Sequence, residues 1–280
     1  MPSFDVHQHL WPPQLIEVLR RRRQPPRLDG DLLELREGSF PVELRAHRLE
    51  ERIALLDRDG VGTAVVSLQP TLELYSAPEL ADAYHEGIVE LVAPSEGRLR
   101  AFAAEACLDG FAGACVSAAR LLSGLDDLPA ELVRAGQVLF VHPGPPELPP
   151  NAPAWWAPVV DYTAQMQAAC WAWSADGALR HPDLPVVFAI LGGGVAVQLE
   201  RFRSRGGEAR GFLHPSLYFE TSSYGARALD LARTTHGAAQ LLYGSDVPVV
   251  DPRPTLKALE GLGDDVVRAV RVDNPTLLFR

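Results

Sequence analysis

The chain has 280 residues, of which 47% are hydrophobic and 22% charged, so it is long and apolar enough to bury a large core. The net charge of −10 argues against nucleic acid or an anionic membrane as the main partner. We expect a small-molecule substrate instead, and the composition leaves a homo-oligomer open.

Short apolar runs alternate along the chain with stretches in which apolar residues have helical spacing. In chain order, the strand candidates are 3–6, 63–68, 99–104, 112–116, 138–141, 186–190, 217–220 and 241–243. The main helix candidates are 47–58, 77–91, 129–135 and 226–234. This alternation predicts βαβ units and a parallel sheet. About eight strands suit a single-domain (β/α)8 TIM-type barrel over residues 1–280, with a doubly wound open sheet as the alternative.

A proline-rich segment, PGPPELPPNAPAWWAP at 143–158, is unsuited to regular secondary structure. It directly follows a strand candidate, so in a barrel it predicts a long loop over the face that carries active sites. Trp155 and Trp156 in this loop are therefore candidates for a substrate pocket. Trp11, which follows the first strand candidate, is a further candidate.

Three features predict a cytoplasmic protein. No apolar run reaches the roughly 18 residues that a membrane-spanning helix needs. The first residues, MPSFDVHQHLW, lack the basic and apolar regions of a signal peptide. The three cysteines are odd in number and have no CxxC spacing, which favours reduced thiols.

The first strand candidate leads into a pair of histidines. Asp5, His7 and His9 have the spacing i, i+2, i+4, which on an extended strand puts all three side chains on one face. Two imidazoles that converge at a strand end can share one metal ion. The pair alone is weak evidence, because eight histidines in a chain of this length produce it by chance roughly a quarter of the time.

Two later strand candidates also lead into side chains that bind metals. The apolar run 138–141 leads into His142, and the run 241–244 leads through Ser245 into Asp246. A polar residue at the carboxyl end of a buried parallel strand faces the catalytic mouth of a barrel. With His7 and His9, these residues form a set of three nitrogens and one oxygen for zinc or another divalent ion.

The order of these motifs resembles the amidohydrolase superfamily. It is most similar to the amidohydrolase-related branch that includes aminocarboxymuconate semialdehyde decarboxylase and related decarboxylases, hydratases and lactonases. The matching pieces span nearly the whole chain: FDVHQHLWPP (4–13), LFVHPGPP (139–146), PVVFAILGGG (185–194), LYFETSS (217–223), LLYGSDVP (241–248) and NPTLLF (274–279). The resemblance implies one divalent metal, expected to be zinc, on His7, His9, His142 and Asp246. Lys257 is the only lysine and follows Asp246, so it cannot be the bridging lysine of binuclear relatives, and a mononuclear site follows.

One position departs from the family's pattern. The family usually has a histidine just before the glycine run of the sixth strand, where this chain has Ile190. In related enzymes that histidine orients the metal-bound water or polarises the substrate. Its absence puts the usual mechanism in doubt and removes none of the four expected ligands. We expect the Ile190 side chain to line the substrate pocket beside the metal.

Three functions follow as hypotheses. The first is hydrolysis of a small amide, ester or lactone by metal-activated water, with Asp246 as both ligand and proton acceptor. The second is nonoxidative decarboxylation of a small carboxylic acid, in which the metal stabilises developing negative charge. The isoleucine at 190 favours hydrolysis, because the sequence shows no other proton donor. The third is a barrel that binds metal but has lost catalysis.

The remaining histidines are expected to be structural or solvated. His181 and His214 fall in loops, and His47 and His85 fall on predicted solvated faces of helices. His236 ends a predicted helix, where a protonated imidazole interacts favourably with the helix dipole.

Overall fold

The computed structural model describes residues 3–280. Its main sheet consists of eight strands, each parallel to the next. In chain order they are β1 (Phe4–His9), β2 (Thr63–Ser67), β3 (Leu99–Ala104), β4 (Gly113–Ser117), β5 (Val138–His142), β6 (Val186–Phe188), β7 (Leu217–Glu220) and β8 (Leu241–Leu242). The predicted (β/α)8 barrel is confirmed, and the open-sheet alternative is wrong.

The first strand and the segment after the last strand close the barrel. The backbone N–H of His9 donates to the carbonyl oxygen of Val247 at 2.8 Å, and that of Asp246 donates to the carbonyl oxygen of His7 at 2.8 Å. A parallel bridge between Gln8 and Val247 adds to this contact. The closure therefore fixes two of the predicted metal-binding segments directly against each other.

Helices between the strands form the outer layer. They are α1 (Pro13–Arg21), α2 (Leu49–Arg58), α3 (Pro78–Val92), α4 (Ala118–Ser123), α5 (Leu128–Ala135), α6 (Tyr162–Ala172), α7 (Ala178–Arg180), α8 (Leu199–Ser204), α9 (Ala226–His236), α10 (Arg253–Glu260), α11 (Asp264–Arg268) and α12 (Asn274–Leu278). Short 3₁₀ turns occur at Leu44–His47, Pro70–Leu72, Ala93–Ser95, Val195–Gln198 and Ala238–Gln240, and π-helical turns at Ala157–Asp161, Trp173–Gly177 and Ala269–Asp273. Within residues 3–280, none of the helices is long and apolar enough to cross a membrane.

The strands are buried on both faces, which explains their sequence pattern. In β2 and β5 every residue is buried, because the barrel interior lies on one side and the helices on the other. Inside the barrel, Phe102 and Phe140 stack with ring centroids 5.2 Å apart. The ring of His7 lies edge-on to Phe140, with centroids 5.0 Å apart. His7, a predicted metal ligand, is thus packed against the aromatic residues of the barrel interior.

A small antiparallel sheet lies between α1 and α2, where the sequence patterns predict no element. Its strands are Arg27–Asp29, Leu32–Leu35 and Gly38–Pro41. Only Leu28 and Leu33 are buried in it, so it has too few apolar residues for a recognisable alternation.

The sixth strand is shorter than the predicted 186–190, because the chain turns left-handed there. The φ angles of residues 190–194 lie between +47° and +70°. At Gly193 a Cβ atom would overlap the carbonyl oxygen of Thr163 in α6, so the close approach requires glycine. Gln167 in the same helix donates from Nε2 to the carbonyl oxygen of Gly193 at 2.9 Å. This left-handed turn starts at Ile190, the position that departs from the family's pattern.

Candidate metal centre

The four predicted ligands lie together at the carboxyl ends of the barrel strands. One ligand atom from each of His7, His9, His142 and Asp246 lies within 4.8 Å of the others. The Nε2 atom of His9 is 3.2 Å from His7 Nε2 and 3.0 Å from Asp246 Oδ1. The three histidines are buried, and the Asp246 side chain is 15% exposed. The cluster is therefore enclosed, and Asp246 is its most exposed member.

Each imidazole has an acceptor for its other ring nitrogen. His7 Nδ1 lies 2.9 Å from Glu220 Oε2, and His142 Nδ1 lies 2.8 Å from the carbonyl oxygen of the next residue. His9 Nδ1 lies 3.3 Å from the carbonyl oxygen of Ser67. These contacts favour the tautomer with the proton on Nδ1, which leaves the Nε2 lone pair of each ring available to a metal.

The charges of the cluster fit a divalent cation. Burial lowers the pKa of His7, but the carboxylates of Glu220 and Asp246 outweigh burial and raise that pKa to about 9. Burial also lowers the pKa of His9 and of His142. Without a metal, a proton on His7 therefore offsets the buried carboxylates. A divalent ion among the Nε2 atoms would supply that positive charge, so the donor set fits a metal.

Asp246 has an unusual backbone conformation that its residue type tolerates. Its φ is +60°, in the left-handed region that aspartate enters more readily than most residues. Its carboxylate is surrounded by imidazoles, and although burial raises its pKa, the charge of His7 and the hydrogen bond from His9 hold the pKa below its usual range. Asp246 is therefore a carboxylate that can bind a cation.

Glu220 belongs to the site although the sequence analysis gave it no role. It ends β7, is wholly buried, and its Oε2 atom accepts hydrogen bonds from His7 Nδ1 at 2.9 Å and from the backbone N–H of Ile190 at 3.1 Å. The signal was present in LYFETSS, where an apolar strand candidate ends in a carboxylate as other strands end in His142 and Asp246.

Asp5 does not join the cluster, so the prediction that it shares a face with His7 and His9 is wrong. Its carboxylate accepts hydrogen bonds from Gln8 Nε2 at 2.7 Å and from the backbone N–H of Ser245 at 3.0 Å. The pairing of β1 with β2 shifts register between Asp5 and Gln8, which breaks the strict alternation of side chains. Burial raises the pKa of Asp5 to about 6.

The three tryptophans predicted to line the substrate pocket differ from one another in burial. Trp11 is buried, with its ring stacked on His47 at a centroid distance of 4.7 Å and its Nε1–H donating to Gln69 Oε1 at 2.7 Å. Trp155 is 54% exposed, and the half-buried Trp156 lies beside it with ring centroids 6.0 Å apart. A contact of these three side chains with a substrate stays a prediction.

Ile190 lies close to the cluster through its backbone. Its N–H donates to the same Glu220 oxygen that contacts His7, so one carboxylate separates residue 190 from a predicted ligand. The side chain is half-buried and packs against the core. Its expected position in the substrate pocket stays a prediction.

Three other histidines differ from their predicted surroundings. His85 is half-buried rather than solvated, and its Nε2 atom accepts a hydrogen bond from the backbone N–H of Ala104 at 2.8 Å. His47 is buried against Trp11 rather than solvated, and burial lowers its pKa to about 3. His236 does end a helix, but its ring stacks on Phe219 with centroids 3.9 Å apart, and burial lowers its pKa to about 4. It is therefore neutral rather than a cation at the helix terminus. Helical spacing did not reveal these contacts, because their partners are distant in sequence.

Comparison with known families decides the superfamily. A family model described as "Amidohydrolase" matches residues 4–280. The chain belongs to the amidohydrolase family. The resemblance found in the sequence motifs is thereby confirmed. A search of curated proteins finds no match to this amidohydrolase.

Solved structures similar to this amidohydrolase include several decarboxylases. The apo form of IDCase from Metarhizium anisopliae is 21% identical, with a TM-score of 0.81 over 100% of this chain and 97% of that chain. The 2,6-dihydroxybenzoate decarboxylase from Rhizobium is 17% identical, with a TM-score of 0.78 over 100% and 98% of the two chains. A variant of 5-carboxyvanillate decarboxylase from Novosphingobium aromaticivorans, with bound manganese, is 16% identical, with a TM-score of 0.78 over 99% and 97%. At these identities the similarity shows a shared fold.

Proposed function

We propose that this amidohydrolase is a metal-dependent, nonoxidative decarboxylase of a small aromatic carboxylic acid. The observation that carries the proposal is the cluster of His7, His9, His142 and Asp246 at the strand ends of a barrel whose fold is shared with decarboxylases. Two of those decarboxylases are named for 2,6-dihydroxybenzoate and 5-carboxyvanillate, which are both aromatic acids. The sequence alone favoured hydrolysis, and the fold comparisons favour decarboxylation instead.

The metal would be held by the three Nε2 atoms and the Asp246 carboxylate. A bound divalent ion supplies positive charge that polarises a substrate oxygen and stabilises negative charge as it develops. The imidazoles suit zinc, which the sequence analysis expected, whereas a structural neighbour contains manganese. Metal analysis of the purified protein, followed by reconstitution with each ion, distinguishes the two.

Decarboxylation requires a proton to replace the departing group. The carbon–carbon bond to the carboxylate breaks, carbon dioxide leaves, and one proton from solvent ends on the ring carbon. We assign the transfer of this proton to Asp246, because its partly exposed carboxylate reaches both the cluster and solvent. Ile190 cannot assist, since its side chain has no polar atom.

Hydrolysis of an activated ester or a lactone is the second candidate, and Ile190 is the observation that favours it. An apolar side chain in place of the family's histidine removes a second acid from the site. Substrates with good leaving groups tolerate that loss, because such leaving groups need little protonation. Asp246 would then accept the proton of the attacking water.

The test is carbon dioxide release from 2,6-dihydroxybenzoate and from 5-carboxyvanillate by the metal-loaded protein. Reaction in heavy water should place one deuterium on the ring carbon that lost the carboxylate. We expect His142→Ala to lose metal and activity while remaining folded, because His142 is a proposed ligand at a strand end. His181→Ala is the matched control, a histidine outside the cluster, and should keep both.

The outcomes separate the three hypotheses. Carbon dioxide release that is unchanged by metal removal would contradict the proposal. Turnover of esters or lactones without decarboxylation supports hydrolysis. A metal-loaded protein that turns over neither substrate class supports a barrel that has lost catalysis.

A further inference from the structure

We infer that Glu220 is a positioning residue of the metal centre, whose side chain orients His7 and at the same time anchors the backbone of residue 190. The inference rests on the proposed metal site and adds to it a residue beyond the four ligands. It links the proposed metal site to Ile190, which stands where the resemblance implies a histidine.

The hydrogen bonds around Glu220 require an acceptor on both oxygens. Oε2 lies 2.9 Å from His7 Nδ1, 3.1 Å from the backbone nitrogen of Ile190 and 2.9 Å from Ser222 Oγ, and Oε1 accepts from the backbone N–H of Ser222. A carboxylate only accepts hydrogen bonds, whereas a glutamine would turn an N–H toward one of these donors. Because Glu220 is wholly buried, water cannot replace a lost partner.

The contact with His7 differs from those of the other two imidazoles. The Nδ1 atoms of His9 and His142 lie against neutral groups, the carbonyl oxygen and hydroxyl of Ser67 and the carbonyl oxygen of Pro143, whereas that of His7 lies against a carboxylate. A hydrogen bond to an ionised group is stronger than a neutral one, and it raises the basicity of the opposite ring nitrogen. Glu220 thus fixes the tautomer and orientation of His7, whose Nε2 lies 3.2 Å from His9 Nε2.

Glu220 also contacts Ile190, just after the end of β6. The backbone N–H of Ile190 is the first of the left-handed turn 190–194, and an isoleucine with a φ of +47° is strained. Its bond to Glu220 helps to hold that conformation. A displacement of Glu220 is therefore expected to change the geometry of the metal ligand and of residue 190 together.

Gly244 leaves the space that the Glu220 carboxylate occupies. A Cβ atom at residue 244 would overlap the carboxyl group of Glu220. The substitution Gly244→Ala therefore displaces this carboxylate without removing its charge. It gives a second and chemically different way to test the role of Glu220.

The experiment measures metal affinity by chelator competition with Mn²⁺ and Zn²⁺, and the absorption spectrum of the Co²⁺-substituted protein. We expect Glu220→Gln and Gly244→Ala to weaken metal binding about 10–100-fold and to shift the Co²⁺ spectrum. Glu105→Gln is the matched control. Glu105 follows β3 and accepts the backbone N–H of Ser117 at 3.1 Å, and within residues 3–280 it makes no hydrogen bond to a proposed ligand. Its substitution should change neither readout.

Wild-type affinity and an unshifted Co²⁺ spectrum in folded Glu220→Gln protein would overturn the inference. If that variant does not fold, Gly244→Ala decides by the same two readouts. A loss of affinity in the Glu105→Gln control equal to that in Glu220→Gln would also overturn it. The assay reads metal binding and not turnover, so a wild type that binds metal but releases no carbon dioxide refutes only the proposed reaction. A wild type that binds no metal refutes both.

Discussion

Arg52 in α2 donates a hydrogen bond from Nη2 to the carbonyl oxygen of His9, 2.8 Å away. Its Nη1 donates to the side-chain oxygen of Gln8 at 2.8 Å, and Gln8 in turn donates to Asp5 at 2.7 Å. Asp5 accepts the backbone N–H of Ser245 at 3.0 Å. A chain of buried hydrogen bonds therefore joins the helix layer to both segments that meet at the barrel closure.

Arg52→Met tests how much this series of hydrogen bonds contributes to the free energy of unfolding. Methionine fills the space of the arginine stem but leaves the carbonyl oxygen of His9 and the side-chain oxygen of Gln8 without a donor. Each buried group left unpaired costs about 1–3 kcal/mol, so for the two groups we expect the free energy of unfolding to fall by about 2–6 kcal/mol. Urea unfolding of the metal-free protein measures it. Arg21→Met, at a position 75% exposed, is the control and should change stability by less than about 0.5 kcal/mol. Equal stability of the two variants would contradict the prediction.

Asp246→Asn separates metal binding from proton transfer. Asparagine keeps an oxygen for the metal but cannot accept or deliver the proton, so we expect turnover to fall about 10²–10⁴-fold in fully metallated protein. The kcat and the metal content should be measured on the same sample. Asp251→Asn, which alters an exposed partner of Arg253, serves as the control. Near-normal turnover of metallated Asp246→Asn removes Asp246 from the proton-transfer role.

The buried His236 should make the fold sensitive to acid. Burial lowers its pKa in the folded protein to about 4, and neither ring nitrogen has a hydrogen-bond partner among residues 3–280. Between pH 6.5 and pH 4 the unfolded chain binds a proton that the folded protein does not. The contribution of neutral His236 to the free energy of unfolding is therefore fully present above pH 6.5. It falls by up to about 3 kcal/mol as the pH decreases to 4. His236→Phe, which keeps a ring against Phe219, should flatten this dependence in urea unfolding followed across that range. An unchanged slope would show that His236 is not its source.

Ile190→His introduces the residue that the resemblance of the sequence motifs implies at this position. A β-branched side chain at a φ of +47° is strained by about 1–2 kcal/mol, and histidine enters this region more readily. We therefore expect the variant to fold and to raise decarboxylase activity by supplying a second polar group. Ile190→Val keeps the branched apolar side chain and should leave activity low. Strong wild-type decarboxylation that Ile190→His does not change would count against this role of residue 190.

The sequence predicted the barrel because its strands are buried on both faces. The run 138–141 is wholly apolar and the run 63–68 mostly so, and each marks a strand without any need for alternation. The rule that polar residues follow such runs at the catalytic end of a barrel predicts that His142 and Asp246 lie together. The structure places both beside His7 and His9.

Features that depend on a local irregularity were not predictable in this way. The register shift in β1 separates Asp5 from the histidines, and no residue type between them signals it. The burial of His47 depends on Trp11, which approaches it from another part of the chain. Glu220 was visible as a strand-end carboxylate, but its partners His7 and Ile190 come from two other strand ends and only the fold joins them.

The closure of the barrel has a consequence for biosynthesis. His7 and His9 are synthesised well before Asp246 and before the segment that pairs with β1. A nascent chain that has not reached residue 246 lacks both the carboxylate and the partner that fixes the first strand. The complete set of four ligands should therefore come together only after residue 246 has been synthesised, so the closed barrel rather than the growing chain would take up the metal.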